Sequence, residues 1–294
     1  VNFSAMIVTV SWWGICKLKL RTMNYSIIIP HRNRLFHLQL CVYSLLRSAR
    51  GCDVDDKEFE ILIVENGSTY APLLTGGAVR VINDIRPMVT FNKPKLQNRG
   101  IEEAKGDVFA FVDADAIVGP KWFETLKWLP QSPGTTKVCY EVRMMPSCIS
   151  RQAGCCNSDV MEYAERVFYF PDSYMAHKKG FDARVHPDMP ESQWGQFHCP
   201  ADNILPHFGN SQFSITREKL GDLRFNEEYE GAGYEDIWMN REIWRKYGLE
   251  YRTIEATEPA YNMLHLAHPR DEKNMPGWRE REYLNRNKRR YDRT

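Results

Sequence analysis

Net charge is almost absent from this chain: 39 basic residues face 38 acidic ones, leaving +1 over 294 positions. That balance gives no general electrostatic case for binding nucleic acid. Residues 3–16 are mostly apolar but too short to span a bilayer comfortably. The basic residues Lys17, Lys19 and Arg21 follow that run instead of preceding it, the reverse of a secretory signal. Met23 stands just before the first core strand, so residues 1–22 are expected to be an upstream segment outside the fold, or else a membrane-touching one. The eight cysteines include no C-x-x-C pair, which argues against a zinc ribbon and leaves reduced thiols as the expectation. Walker A and H-E-x-x-H sequences are missing, as are internal repeats and low-complexity tracts. A Rossmann dehydrogenase would need G-x-G-x-x-G after its first strand, and PHRNR stands there.

What is present is a chain that is 43% hydrophobic and long enough to bury a large core. Residues 25–30 (YSIIIP), 59–65 (FEILIVE), 79–83 and 108–112 read as buried strands. Apolar spacing predicts helices over 35–49 and 95–105 between them. Strand–helix alternation of this kind predicts an α/β fold, a mostly parallel mixed sheet with helices on both faces. From 130 to about 206 the pattern loosens around one helical candidate at 157–168. This stretch reads as an insertion carrying binding loops on the acceptor side. Order returns at 208–216, with a helix around 236–247 and a strand near 251–254. The basic tail, 279–294, reads as a solvated or frayed helix, or as a contact to an anionic lipid or acceptor. Residues 23–278 are expected to form one domain.

Polar clusters fall at the strand ends. Asp113-Ala114-Asp115 closes the 108–112 strand, and ligands in open α/β sheets bind beyond carboxyl ends. Such a pair makes a hard oxygen site for a divalent cation, and equally an ordinary polar turn. The arginines of His31-Arg32-Asn33-Arg34 would fork onto phosphate, unless the turn is simply solvated. Glu65-Asn66-Gly67 would meet a base or ribose, or form a turn. Glu235-Asp236 opens a predicted helix, where the dipole favours acids for stability alone. His265 and His268, on one face of a helical turn, would both reach a metal or serve structure.

The order of these clusters resembles the GT-A glycosyltransferases, and most closely the beta-1,4-galactosyltransferase family. IIPHRNR is similar to that family's IIPFRNR turn, FNKPKLQNRG to FNRAKLLNVG, and VDAD to its D-V-D metal motif. FNEEYEGAGYED aligns without a gap to FPNNYWGWGGED, and HLAHPRD resembles the metal-binding M-I-R-H followed by S-R-D. There is also likeness to family-2, chondroitin-polymerase-type transferases. The resemblance spans about 25–274 apart from much of 130–206.

The resemblance implies roles residue by residue. Pro30, His31, Arg32 and Arg34 would line uridine and diphosphate, with Glu65 nearby; Phe91 and Lys93 would flank the base and phosphate. Asp113 would hold the donor sugar or ribose. Asp115, His265 and His268 would bind Mn2+ or Mg2+. Asp236 would be the general base, with Glu235 on acceptor or donor hydroxyls. His207 and Asn210 correspond to positions that help choose the donor. The family's loop tryptophan is Ala232 here and a following glycine is Tyr234, so the family's loop closure and donor choice are not carried over.

The implied reaction is metal-dependent, inverting transfer of a hexose or N-acetylhexosamine from UDP-galactose, UDP-N-acetylgalactosamine or UDP-glucose to a glycan hydroxyl. The expected partners are that donor and a glycan, without nucleic acid, in a cytoplasmic protein that touches membrane only through its termini. A sugar-phosphate nucleotidyltransferase is one rival, though it would want a Gly-rich phosphate loop where PHRNR stands. A non-catalytic glycan binder is the other, against which the Asp115, Asp236 and His265 set argues. Trp194, Tyr169, Phe170 and Tyr174 are candidates for stacking on sugar rings or for core packing.

Overall fold

Ile27, Ile28 and Ile29 are all fully buried, and a strand covered on both faces reads as such a continuous apolar run. They lie in β1 (Tyr25–His31) of the computed structural model. The structure describes residues 24–294 except 71, 73–75, 85–89, 133, 141, 146–155, 170–211, 232, 251–252, 257 and 267–276. Among the described residues β1 belongs to a seven-stranded sheet. Its other strands are β2 (Phe59–Glu65), β3 (Val79–Asn83), β4 (Val108–Phe111), β6 (Lys137–Tyr140), β8 (Phe213–Thr216) and β9 (Thr253–Ala256). The order across the sheet is β3-β2-β1-β4-β8-β6-β9. Strands β1 to β4 are mutually parallel where paired, β8 runs antiparallel to β4 and β6, and β9 is parallel to β6.

The two sides of β1 feed different cores. Ile27 and Ile29 pack with Leu38, Cys41, Val42 and Leu45 of α1 (Leu35–Gly51) and with Trp122, Phe123 and Leu126 of α3 (Trp122–Gln131). Ile28 packs with Leu96 and Ile101 of α2 (Lys93–Glu103) and Met239 and Ile243 of α6 (Glu235–Tyr247) on the other face. Helix α2 starts before the expected residue 95 because Asn92 caps it, its side chain accepting the Lys95 N–H at 3.0 Å, with Pro94 in the first turn.

A smaller sheet lies beside the first, ordered β5 (Ala116–Val118), β10 (Met263–His265), β7 (Val142–Met144). Helix α4 (Asn157–Tyr169) lays Val160, Ala164, Val167 and Phe168 against Ile117 and Leu264 of that sheet.

The 130–206 stretch is therefore more than loops: its first part supplies β6, β7 and α4. Strand β6 escapes sequence reading because Lys137 suggests a surface, yet that lysine is fully buried. Its ammonium donates to Asn240 Oδ1 and lies 5.0 Å from the Phe213 ring centroid; burial pulls it below the usual lysine range. The basic tail is another difference. It forms α7 (Gly277–Tyr291), joined to the body by contacts described below. A four-residue helix, α5 (Arg217–Leu220), follows β8.

Cys41, Cys52, Cys139 and Cys156 are reduced thiols, the first three buried. No helix among the described residues is long and apolar enough to cross a membrane.

Candidate active site

Strands β1 and β4 lie side by side and parallel, so their carboxyl ends open onto one crevice. Such a crevice is where open α/β sheets bind ligands.

At the end of β1 the chain folds a tight turn around His31. Its Nδ1 lies 2.5 Å from Glu65 Oε2, and its Nε2 accepts the Arg34 N–H at 3.3 Å. Glu65 Oε1 accepts the Ser68 N–H at 2.6 Å. Burial pushes the Glu65 carboxyl up, but the His31 and Ser68 hydrogen bonds outweigh it and hold the group below the usual range. His31 is 0% exposed and Glu65 3%, and Pro30 is buried with them. These three were expected to line a nucleotide; the structure puts them inside the turn, shaping it. Asn33 takes a left-handed φ of 59°, held by its N–H to Ser68 Oγ at 2.7 Å. Arg32 and Arg34 are the turn's half-buried cations, and Arg34 reaches the crevice at Asp115.

The end of β4 carries the aspartates. Asp115 is 2% exposed; Arg34 Nη1 pairs with its Oδ2, and His265 Nε2 lies 3.3 Å from its Oδ1. The β5–β10 pairing makes this meeting: His265 stands opposite Ala116, and the Leu266 N–H donates to the Asp115 carbonyl at 2.7 Å. His265 thus ends a strand and is not on a helical turn, which corrects the expected geometry of the histidine pair. His268 lies outside the described residues, as do His207, Asn210, Trp194, Phe170 and Tyr174; Tyr169 is exposed at the end of α4.

The Asp115 carboxylate and His265 imidazole are adjoining oxygen and nitrogen donors, a set that suits Mn2+ and, through the oxygen, Mg2+. Among the described residues no third His, Cys, Asp or Glu completes a metal-holding group.

Asp113, half-buried, pairs with Lys93 Nζ at the start of α2. Burial pulls the Lys93 ammonium down, but the carboxylates of Asp113, Glu235 and Asp236 outweigh it and hold its pKa above the usual range. Lys93 is therefore a permanent cation shared between Asp113 and the first turn of α6. Burial and the charge of Asp236 push Glu235 up to about 7, against the pull of Lys93. Burial also raises Asp236, again opposed by Lys93.

The approach to α6 is held by α2. The Gly231 N–H donates to the Phe91 carbonyl at 3.0 Å, so Phe91 contributes backbone as well as a half-buried ring. Asn92 Nδ2 donates to the Glu227 carbonyl at 2.7 Å. Asn98 Nδ2 donates to the Phe225 carbonyl at 2.9 Å, and Asn98 Oδ1 accepts the Phe225 N–H at 2.8 Å. Sequence reasoning missed both asparagines. The available signal was Asn98 itself, since asparagine is a poor interior helix residue unless its side chain has work elsewhere.

Residues 26–142 match the family model described as Glycosyl transferase family 2. The chain is 34% identical over 119 residues to an uncharacterized protein of Sinorhizobium fredii, spanning 37% of this chain and 12% of that relative. Among solved structures it is similar to S. aureus TarS 1-349 in complex with UDP-GlcNAc, with 15% identity and a TM-score of 0.52 over 86% of this chain and 61% of that one. It is similar too to glucosyl-3-phosphoglycerate synthase from Mycobacterium tuberculosis, in complex with Mn2+, UDP-glucose and phosphoglyceric acid. That match has 18% identity and a TM-score of 0.50, covering 90% of this chain and 79% of the synthase. The fold is accordingly the GT-A type expected from the sequence.

Proposed function

We propose that this chain is an inverting, metal-dependent glycosyltransferase that moves a hexose or N-acetylhexosamine from a UDP-sugar to a glycan hydroxyl. One observation carries the reading: Lys93 joins Asp113, at the end of β4, to Glu235 and Asp236 at the head of α6. A donor-side carboxylate and an acceptor-side carboxylate pair thus face one crevice. The UDP-GlcNAc bound to TarS and the UDP-glucose bound to the synthase support a UDP-sugar donor. The motif resemblance to beta-1,4-galactosyltransferases supports galactose or N-acetylgalactosamine beside glucose.

Arg32 and Arg34 supply forked donors for a diphosphate. Asp115 and His265, with His268, would hold Mn2+ or Mg2+, which when bound neutralises charge on the departing nucleoside diphosphate. Glu235 and Asp236 share one buried corner, so their protons leave in two steps that belong to the pair. Asp236 takes the charge first: aspartate is the stronger acid, and its Oδ1 accepts the Ile237 N–H at 2.8 Å. It is then the base that removes the acceptor's proton, a contribution of roughly 10²–10⁴-fold. Glu235, still protonated up to about 7, hydrogen-bonds a sugar hydroxyl. One base without an enzyme nucleophile gives a single displacement and inversion.

Asp236→Asn is the test. It is expected to retain UDP and manganese binding by calorimetry while losing transfer across a panel of UDP-sugars and acceptors; retained transfer would remove Asp236 from its role.

A further inference from the structure

The turn that delivers Glu235 and Asp236 is backbone-strained. Gly231, Gly233 and Tyr234 have φ of 75°, 82° and 73°, and Tyr234, as the residue before α6, is a bulky side chain in left-handed conformation. Such conformations persist only where surrounding structure over-determines them. Here the surrounding structure is the segment before α2, through Phe91, and α7. Asn287 is 0% exposed, and its Nδ2 lies 3.1 Å from both the Glu230 and the Gly233 carbonyls, donating to each. One turn on, Arg290 Nη1 donates to the Glu228 carbonyl, and its Nε lies 3.2 Å from the Glu228 carboxylate. The Tyr291 ring lies 5.7 Å from that of Tyr234 and 4.1 Å from the Arg241 guanidinium of α6.

We propose that Asn287 is a positioning residue for sugar transfer, holding Glu230 and Gly233 so that the first turn of α6 presents its carboxylates to the crevice. This rests on the transferase reading for its kinetic consequence. Asn287 touches neither donor nor acceptor in it; it acts through the Glu230 and Gly233 carbonyls. The charged groups facing the pair are Lys93 from α2, Asp113 after β4 and Lys137 from β6, and none lies on α7.

The experiment uses the full chain. Asn287→Ala is expected to lower kcat by roughly 10²-fold, the scale of an ångström-sized misplacement, with little change in donor KM. Its pH profile is expected to move down at the acid limb, because a loosened turn lets water reach Glu235 and Asp236. Lys288→Ala, on the solvent side of α7 and paired with Asp292 at 2.8 Å, is the control expected to match wild type. An Asn287→Ala enzyme with wild-type kcat and pH profile would overturn the proposal, as would equal losses in the control. Should Asn287→Ala fail to fold, Arg290→Ala is expected to lower kcat in the same sense, and an unchanged kcat there overturns it too. Amide exchange over 228–240 is independent of turnover: it is expected to quicken in the variant and not in Lys288→Ala. Unchanged exchange refutes the role of Asn287, whereas a wild-type protein without transfer refutes only the transferase reading.

Discussion

Lys93 Nζ pairs with the Asp113 carboxylate while standing in the field of Glu235 and Asp236, so a single cation bridges both halves of the crevice. Its helix, α2, also anchors the approach to α6 through Asn92 and Asn98. Helix α2 therefore supplies both charge and backbone support to the carboxylate pair.

Removing that cation has a definite sign. Lys93 lowers the pKa of both Glu235 and Asp236, so Lys93→Met is expected to raise them further and to move the acid limb of kcat/KM upward by about one pH unit. A pH–rate profile superimposable on wild type would show that Lys93 does not govern the pair.

Glu235 should destabilise the fold at neutral pH. Its pKa rises from 4.5 to about 7, so its stabilising contribution is complete below 4.5 and lost as pH rises through 7. Glu235→Gln removes the ionisation and should raise stability at pH 8 by on the order of 1–3 kcal/mol, with the gain vanishing near pH 4. Urea midpoints at the two pH values measure this, and equal differences at both would contradict it.

Arg34 occupies the Asp115 carboxylate that would ligate the metal. Arg34→Ala is expected to tighten Mn2+ binding in the absence of nucleotide by roughly tenfold, and to weaken UDP binding, since the forked donor is lost. Calorimetry with Mn2+ alone and with UDP separates the two effects; weaker binding of Mn2+ alone would count against the competition.

Gly119, after β5, has no room for a side chain. A Cβ there would lie 2.2 Å from the Ala260 carbonyl oxygen and 3.1 Å from that of Asn262. Gly119→Ala should cost about 1–3 kcal/mol, as overpacking does. Gly134→Ala, with nothing within 4 Å of the added carbon, is the comparison expected to stay near wild type in thermal unfolding.

The inner strands of the main sheet, β1, β2 and β4, were legible in the sequence because burial on both faces leaves an apolar run, and the partly buried edge strand β3 by its β-branched Val79, Val81 and Ile82. FEILIVE and VRVIN end where β2 and β3 end. Residue chemistry also marked Asp113, Asp115, Glu235 and Asp236 at element ends, where the structure has them. Sequence did not reveal β5, β7 or β10, because a three-residue strand has too little length for a period and is defined by its partners. His265 was misread as helical for the same reason. His31 and Glu65 looked like ligand-facing residues because a polar turn at a strand end carries no sign of whether its side chains point in or out. Asn287 was invisible: its significance lies in two carbonyls more than fifty residues away.

The pairing of His265 opposite Ala116 couples the Asp115–His265 contact to strand registry rather than to chain distance. A shift of one residue between β5 and β10 would turn His265 to the other face of its sheet. Between those strands lies about half of the chain, including the long middle stretch. Lengthening or rebuilding that connection costs little closure entropy, since the penalty grows only slowly with loop length. The contact is thus keyed like a joint: change in the loops between 119 and 262 leaves it in place, while single-residue insertions within 116–118 or 263–265 would separate His265 from Asp115.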